Sequence, residues 1–394
     1  MQRVIFVNLH GNGFLLKTLN LIVFKQSGAI KHKYLLDYLL TRDDIEICSY
    51  INKQGFCMSY SHAGLFPRWI DKLEHKYTLK LDGIPQERIK VITDEKEFRK
   101  DDIIIMYNYY KNHYAFDKRP DCLIAVSHIH FNTSNAGLMQ KIDPDVAFCE
   151  ANFSHGSKLY DHFYSWYKKT FLVIPFVFGD RFKPIKPFAQ RQNKCFSTGT
   201  VTYMHNITPI YGDSCCQPAR KQILDNKDEL EPWVDCYNSN YSEDDKKIRT
   251  NIPVLRSVLN IYYKLFTGKQ KKYFSFDMVE KFNDYKMCLI GEERMQIPGV
   301  GFVEGMACGC AYIGQTVGYY EDYGMQEGVH YIGYDGTLED LKAKISYYQM
   351  PEHQVELERI AKTGCEFVRK NFCGPVVAEK FLNQLIDESK RLYR

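Results

Sequence analysis

The chain has 394 residues, of which 52 are Lys or Arg and 48 are Asp or Glu, so its formal net charge is only +4. A balance this close to neutral argues against a protein whose main task is to bind nucleic acid, where a clustered basic face is expected. Apolar residues make up 45% of the sequence, enough to bury ordinary cores, and the length favours two domains.

The 13 cysteines are scattered through hydrophobic segments, without paired CxxC motifs at zinc spacing. We interpret them as reduced thiols, and we expect neither a bound metal nor a cofactor. No run of about 18 apolar residues occurs, and the chain begins with an apolar strand rather than a basic leader. The sequence therefore predicts a soluble, cytoplasmic protein.

Short apolar runs alternate with segments of helical period in the first half of the chain, which is the pattern of a parallel α/β sheet. Helical pattern is predicted at Lys33–Leu40 and around Glu97. The predicted strands are Arg3–Asn8, Ile45–Tyr50, Asp102–Tyr107, Cys122–Ser127, Asp145–Cys149 and Phe171–Ile174. The segment Gly179–Pro187, rich in proline and charge, then indicates a domain boundary, so we expect a first Rossmann-like domain over residues 1–182.

The same pattern restarts in the second half. The predicted strands are Lys194–Ser197, Trp233–Tyr237, Met287–Ile290, Ala311–Gly314 and Val329–Tyr331, and the predicted helices are Pro218–Leu230, Val279–Tyr285, Phe302–Cys308, Leu338–Tyr348 and Glu356–Asn371. The charged stretch Ser242–Arg249 is predicted to be a loop. We therefore expect a second Rossmann-like domain over residues 183–375, followed by a helix over 376–394 whose apolar stripe would let it pack back on the N-terminal domain.

The most informative segment joins the predicted strand Met287–Ile290 to the helix that starts at Phe302. Its glycines, Gly299 and Gly301, let the backbone approach a ligand, and the first amides of a helix have no partner within it. The kink at Gly299–Gly301, with Val300 at its centre, is therefore a candidate site for an anion such as a diphosphate. Glu304 in the first turn could bind a ribose diol, or it could merely complement the helix dipole.

A series of residues around this kink matches a known pattern: Phe302, Glu304, Met306, Ala307, Gly309, Glu327-Gly328, Leu341, Ile345 and Tyr348. The stretch from about 280 to 375 resembles nucleotide-sugar-dependent glycosyltransferases of the GT-B class, in particular the group 1 and spore-maturation-type branches. The resemblance implies two facing Rossmann-like domains, with Glu304 on the donor ribose and the amides of Gly299, Val300 and Gly301 toward the donor phosphates or sugar. Phe302 counts among the donor-binding residues. Many retaining members carry a second Glu where this chain has Gln296, so the role of that sugar-facing position and the stereochemistry stay open.

A second candidate element opens the C-terminal domain. A predicted strand ends in Thr198-Gly199, and Pro218 at the start of the next helix places Arg220 in its first turn, ahead of Lys221. Related enzymes have such a turn and a cation facing the diphosphate, and a guanidinium can pair with two phosphate oxygens. The alternative is that Arg220 and Lys221 are ordinary surface cations.

Three residues of the N-terminal domain are candidates for a general base, which an inverting enzyme needs to deprotonate its acceptor. They follow predicted strands, whose carboxyl ends face the ligand crevice in such sheets, and they are His10, His128 and Glu150. Gly11 and Gly13 form an acceptor- or sugar-facing loop there. A dinucleotide fingerprint is excluded, because Leu16 stands where its third glycine is required.

These observations predict a glycosyltransferase that binds a nucleotide-sugar donor between its domains and transfers the sugar to a glycan, lipid-linked or small hydroxyl acceptor. The alternatives are a transferase for a CMP-linked acidic sugar, a sugar-nucleotide epimerase and a non-catalytic carbohydrate-binding protein. The aromatic and basic segment Tyr160–Lys169 is a candidate for peripheral membrane contact, although we favour a helix packed on its own sheet.

Overall fold

The structure is a computed structural model that describes residues 1–9, 32–51, 68–107, 116–127, 136–240 and 276–393. The chain forms two compact units. The N-terminal unit comprises residues 1–155, 160–175 and 374–394, and the C-terminal unit comprises 156–159 and 176–373. The main passage between them thus lies at Pro175–Phe176, somewhat ahead of the expected boundary at residue 182.

The N-terminal unit contains a seven-stranded parallel sheet in the order β3-β2-β1-β4-β5-β6-β7. Its strands are β1 (Gln2–Val7), β2 (Ile45–Tyr50), β3 (Ile89–Ile92), β4 (Ile103–Met106), β5 (Leu123–Ser127), β6 (Val146–Cys149) and β7 (Thr170–Val173). All but β3 were predicted to within two residues. The strand order reverses at β1 and β4, which is where ligands bind in open parallel sheets.

Four helices of the first 175 residues are described: α1 (Lys33–Leu40), α2 (Arg68–Leu81), α3 (Ala136–Ile142) and α4 (Lys158–Tyr164). The aromatic side chains around α4 pack into the protein instead of being exposed on its surface, because Tyr160, Tyr164 and Tyr167 are all buried. The ring of Tyr160 lies 6.1 Å from that of Phe171 in β7. This agrees with our interpretation of Tyr160–Lys169 as a segment packed on its own sheet.

The C-terminal unit contains a five-stranded parallel sheet in the order β12-β11-β10-β8-β9. Its strands are β8 (Gln192–Val201), β9 (Val234–Asn240), β10 (Tyr285–Leu289), β11 (Ala311–Gln315) and β12 (Ile332–Tyr334). The helices described in this unit are α5 (Thr208–Tyr211), α6 (Pro218–Asp225), α7 (Met278–Asp284), α8 (Gly301–Ala307), α9 (Leu338–Gln349) and α10 (Gln354–Asn371).

Three predictions for this unit need correction. The strand β8 continues to Val201, so Thr198 and Gly199 lie within a strand rather than in a turn, because β9 pairs with it along that whole stretch. The last strand is displaced from Val329–Tyr331 to Ile332–Tyr334, and α6 ends at Asp225 rather than Leu230. The predicted loop Ser242–Arg249 lies outside the described residues.

The last helix, α11 (Gly374–Tyr393), is part of the N-terminal unit. The ring of Phe381 lies 4.8 Å from that of Phe148 in β6, and Thr170 Oγ1 donates a hydrogen bond of 3.1 Å to Glu388. The chain therefore returns at its end to cover the first sheet. Within the described ranges, no helix has both the length and the apolarity that crossing a bilayer requires.

Candidate functional site

The predicted anion site lies at the carboxyl edge of the sheet of the C-terminal unit. The strand β10 ends at Leu289, and the loop that follows leads to α8, which begins at Gly301 and carries Glu304 in its first turn. Ligands of open parallel sheets bind outside the carboxyl ends of the strands. The position of this loop therefore suits a binding site.

Arg220 crosses this edge of the sheet from the first turn of α6. Its Nε donates a hydrogen bond of 2.7 Å to the carbonyl oxygen of Ile290, and its Nη1 donates one of 3.2 Å to that of Thr200. The side chain is only 9% exposed, and no carboxylate of the described residues pairs with it. A nearly buried guanidinium bonded only to neutral acceptors leaves a positive charge that an anion can balance.

Two glycines from distant parts of the chain make room for this guanidinium. At Gly199 the φ angle is +148°, and a Cβ atom there would lie 2.7 Å from Arg220 Nε. A Cβ atom at Gly299 would collide with Nη2 of the same side chain. Gly199 and Gly299, which we had assigned to donor binding, are therefore also needed to leave space for the Arg220 side chain.

The kink ahead of α8 passes next to Arg220 Nη2 at Gly299. Within the described part of the chain, the N–H groups of Gly299, Val300 and Gly301 have no hydrogen-bond acceptor. The N–H of Phe302 already donates to the carbonyl oxygen of Gly299 at 3.0 Å. This amide is therefore not available to a ligand. The Phe302 ring is fully buried, 6.0 Å from the ring of Tyr323, so Phe302 has a packing role.

The carboxyl group of Glu304 is poorly solvated, and no described residue is its hydrogen-bond partner. Its side chain is half-buried, and it accepts no hydrogen bond from the described residues. Burial raises the pKa of this carboxyl to about 7, against the opposing effect of the Arg181 charge. An acid that only complements a helix dipole would normally be well hydrated, so these surroundings favour the interpretation that Glu304 binds a hydroxyl-bearing ligand.

Two further buried polar atoms, within the carboxyl-terminal halves of β8 and β9, have no partner in the part of the chain that is described. They are the Oγ1 of Thr198 and the Oδ1 of Asn238, whose Nδ2 donates to Ser197 Oγ at 3.1 Å. Such atoms are rare in folded proteins and call for a ligand, a water or a functional reason. Thr198 was a predicted site residue, whereas Asn238 belongs to no motif that the sequence reveals.

A buried network holds the start of the kinked loop in place. Glu292 is 1% exposed, and its Oε1 accepts hydrogen bonds from the Tyr320 hydroxyl and, at 2.9 Å, from the Gln315 amide. The hydroxyls of Tyr312 and Tyr320 are 2.8 Å apart, and burial raises the pKa of Glu292. The network ties the loop after β10 to the end of β11, a connection for which the sequence contains no signal.

Two other predicted site residues take no part in the hydrogen bonds around Arg220. The Lys221 ammonium forms an ion pair with Asp225 on the same helix. Gln296 has an exposed side chain on a left-handed backbone, with φ +65°, and its N–H donates to the carbonyl oxygen of Glu293 at 2.7 Å. Lys221 therefore already has an anionic partner. The sugar-facing role of Gln296 stays a prediction.

Glu150 is the single candidate base that falls within the described residues, since His10, His128 and the glycines Gly11 and Gly13 lie outside them. It directly follows β6 at the carboxyl edge of the first sheet and is 2% exposed. The Cys149 thiol donates a hydrogen bond of 3.1 Å to its Oε2. Burial, and then the charge of Glu150, raise the pKa of the Tyr34 hydroxyl. Its use as a base stays a prediction.

The two parallel α/β units have the GT-B fold, the fold of the glycosyltransferases that the sequence resembles. No family model matches the chain, and no curated protein matches it. Among solved structures, the glycosyltransferase from Rickettsia africae ESF-5 has a TM-score of 0.52 at 12% identity, with 98% of each chain covered. Anabaena Alr3699/HepE in complex with UDP-glucose has a TM-score of 0.52 at 13% identity, covering 98% of this chain and all of that one. A second structure of that protein, with UDP and glucose, has a TM-score of 0.51.

Proposed function

We propose that this protein is a glycosyltransferase that moves a sugar from a nucleotide-activated donor to a hydroxyl acceptor on a glycan, a lipid-linked saccharide or a small molecule. The GT-B fold supports the class of enzyme, and one protein with that fold, Alr3699/HepE, was solved in complex with UDP-glucose. The observation that carries the proposal is the nearly buried Arg220 guanidinium, which lacks a carboxylate partner among the described residues and lies next to Gly299. The amides of Gly299–Gly301 donate to no acceptor within the described ranges.

In this proposal the C-terminal unit holds the nucleotide. Arg220 Nη2 and the amides of Gly299 and Val300 receive the diphosphate, and the Glu304 carboxylate accepts hydrogen bonds from the two ribose hydroxyls. As the bond between the sugar and the diphosphate breaks, negative charge grows on the leaving oxygen. Donors that are already fixed in position stabilise that charge without having to reorganise.

Positive charge from Arg220 takes the part that a divalent metal plays in other transferases, and we propose that no metal is needed. The acceptor hydroxyl must also lose a proton. We propose that the N-terminal unit supplies the base, with Glu150, His128 and His10 as its candidates. Gln296 has a neutral amide, which can orient a sugar hydroxyl but cannot act as a carboxylate nucleophile.

The pairing of Lys221 favours a diphosphate donor over a CMP-linked acidic sugar. A donor of that second kind brings a carboxylate in addition to its phosphate, and Arg220 and Lys221 are the cations that could serve to bind that carboxylate. Because the Lys221 ammonium pairs with Asp225, Arg220 alone is left for one phosphate group or diphosphate. This argument does not separate a glycosyltransferase from an epimerase or a non-catalytic binding protein, because both of these alternatives would bind the donor phosphates in the same way.

A thermal-shift panel of UDP, GDP, ADP and CMP tests the donor class, because a ligand that binds only the folded state raises the unfolding temperature with its concentration. We expect one nucleoside diphosphate to stabilise the protein, and its sugar conjugate to be consumed in the presence of acceptors. If no nucleotide stabilises the protein, the proposal is rejected. Stabilisation without hydrolysis or transfer of any sugar nucleotide would instead identify a binding protein.

A further inference from the structure

The helix α2 exposes a row of large apolar side chains on the N-terminal unit. Trp69, Leu73, Tyr77 and Leu81 follow one another at intervals of four residues, and they are 64%, 61%, 46% and 38% exposed. The same helix buries His75 and Leu79, which lie on its other side. Since residues four apart fall on neighbouring positions of a helix surface, the exposed side chains form one continuous row. We call it the α2 stripe.

A second row of charged side chains runs beside the α2 stripe. Lys72, Lys76 and Lys80 are exposed and directly precede Leu73, Tyr77 and Leu81. In the described part of the chain no carboxylate forms an ion pair with any of these three lysines, so their charges are available to a partner. Parallel rows of apolar residues and unpaired cations on one helix are what the boundary between headgroups and acyl chains of a membrane accommodates.

We propose that α2 docks this protein on an anionic lipid surface, with the α2 stripe among the upper acyl carbons and the three lysines at the lipid phosphates. An isologous contact between two copies of the chain would place the same patch on both sides. It would bring two sets of unpaired lysines together, which is electrostatically unfavourable. An anionic lipid surface instead complements both rows at once.

This inference does not depend on the proposed glycosyltransferase activity. If that activity is established, docking through α2 would favour a lipid-linked acceptor over a soluble one. The two can be tested separately, because vesicle binding is measured without a nucleotide and nucleotide binding is measured without vesicles.

The test is sedimentation of the full chain with vesicles of pure phosphatidylcholine or of phosphatidylcholine mixed with phosphatidylglycerol, at low and high salt. We expect binding to the anionic vesicles that weakens with salt. The variant Lys72→Gln/Lys76→Gln/Lys80→Gln should bind them on the order of 100-fold more weakly, from the loss of three cations near the surface. The variant Trp69→Ser/Leu73→Ser should bind weakly at both salt concentrations.

Matched controls remove the same groups elsewhere. Lys362→Gln/Lys370→Gln/Lys380→Gln changes the net charge equally, and Met350→Ser/Val355→Ser removes two exposed apolar side chains. Both should bind like the wild type, and circular dichroism should confirm that every variant is folded. Absence of vesicle binding by the wild type, or equal binding to neutral vesicles, would overturn the proposal. So would concentration-dependent self-association that Trp69→Ser/Leu73→Ser abolishes, since the α2 stripe would then join two copies.

Discussion

Arg220 and Ile290 are 70 residues apart in the chain, yet Arg220 Nε donates a hydrogen bond of 2.7 Å to the carbonyl oxygen of Ile290. The bond joins the first turn of α6 to the point where β10 ends and the kinked loop begins. It fixes the guanidinium at the carboxyl edge of the sheet before any ligand arrives. Charge stabilisation by a group that is already positioned is the main requirement for departure of a diphosphate.

Replacing Arg220 by Ala should weaken binding of the cognate nucleoside diphosphate by about 1.5–3 kcal/mol, the range for hydrogen bonds to charged groups. Binding of the free nucleoside should change little, because it has no phosphate to contact the guanidinium. Isothermal titration calorimetry with both ligands measures the two effects. Arg220→Lys is the matched variant: it keeps the charge but loses the fork, so we expect only partial recovery. Equal losses for the nucleotide and the nucleoside would rule out phosphate contact.

Gly299→Ala should impair donor binding through Arg220 rather than through a direct contact. The added methyl group collides with Nη2, so the guanidinium must move. In an Arg220→Ala background that collision disappears, and the same substitution should have much less effect. A double-mutant cycle on nucleotide affinity measures this coupling, which for residues in contact is about 0.5–3 kcal/mol. Strictly additive effects would show that Gly299 acts independently of Arg220.

The raised pKa of Glu304 predicts a change in stability with pH. This carboxyl has an ordinary pKa of 4.5 and a pKa of about 7 in the folded protein, so the folded state holds its proton more tightly. The free energy of unfolding should therefore fall as the pH rises from about 4.5 to about 7 and stay level above that. Urea unfolding of wild type and Glu304→Gln across this range should differ by that decline, and parallel curves would contradict it.

Nucleotide binding should have the opposite dependence on pH. The ionised Glu304 accepts hydrogen bonds from the ribose hydroxyls better than the protonated form, so affinity should rise as the pH passes about 7. Glu304→Ala should lose about 1.5–3 kcal/mol of affinity and the pH dependence with it. A 2′-deoxynucleotide is the matched ligand, since it should bind the wild type and the variant with a smaller difference. Unchanged affinity in folded Glu304→Ala would remove this residue from the ribose site.

Thr198→Val should separate ligand binding from stability. It replaces a buried hydroxyl, for which the described residues supply no partner, by a methyl group of similar size. An unsatisfied buried polar group is unfavourable by about 1–3 kcal/mol, so the ligand-free variant should be at least as stable as the wild type. If the hydroxyl contacts the donor, nucleotide-sugar affinity should fall at the same time. A destabilised variant with normal affinity would indicate that Thr198 is bonded within the protein.

Chelation tests the proposal that Arg220 takes the place of a metal. Transfer activity should be retained after incubation with EDTA and removal of the chelator, and added Mg²⁺ or Mn²⁺ should not raise it. Nucleotide affinity measured in EDTA should likewise be unchanged. Loss of activity that a divalent ion restores would show that the diphosphate needs a cation besides Arg220.

Much of the fold is determined by local pattern. The bounds of α1 at Lys33–Leu40 and of β2 at Ile45–Tyr50 follow directly from the spacing of their apolar residues. Pro218 places Arg220 in the first turn of α6, since proline at the start of a helix is a local preference. The strand β3 escaped prediction, because a run of four residues carries too little pattern to be distinguished from a loop.

The sequence by itself determined two α/β halves, a kinked glycine loop and an arginine early in a helix, because periodicity and capping act between near neighbours. Only the tertiary structure decided that Gly199 and Gly299 both enclose Arg220, that Glu292 is buried against Tyr320, and that Trp69 faces outward rather than into the core. Each of these depends on which distant segments come to lie together. Side-chain packing over long sequence separations, which local spacing does not encode, chooses among the arrangements that local preferences permit.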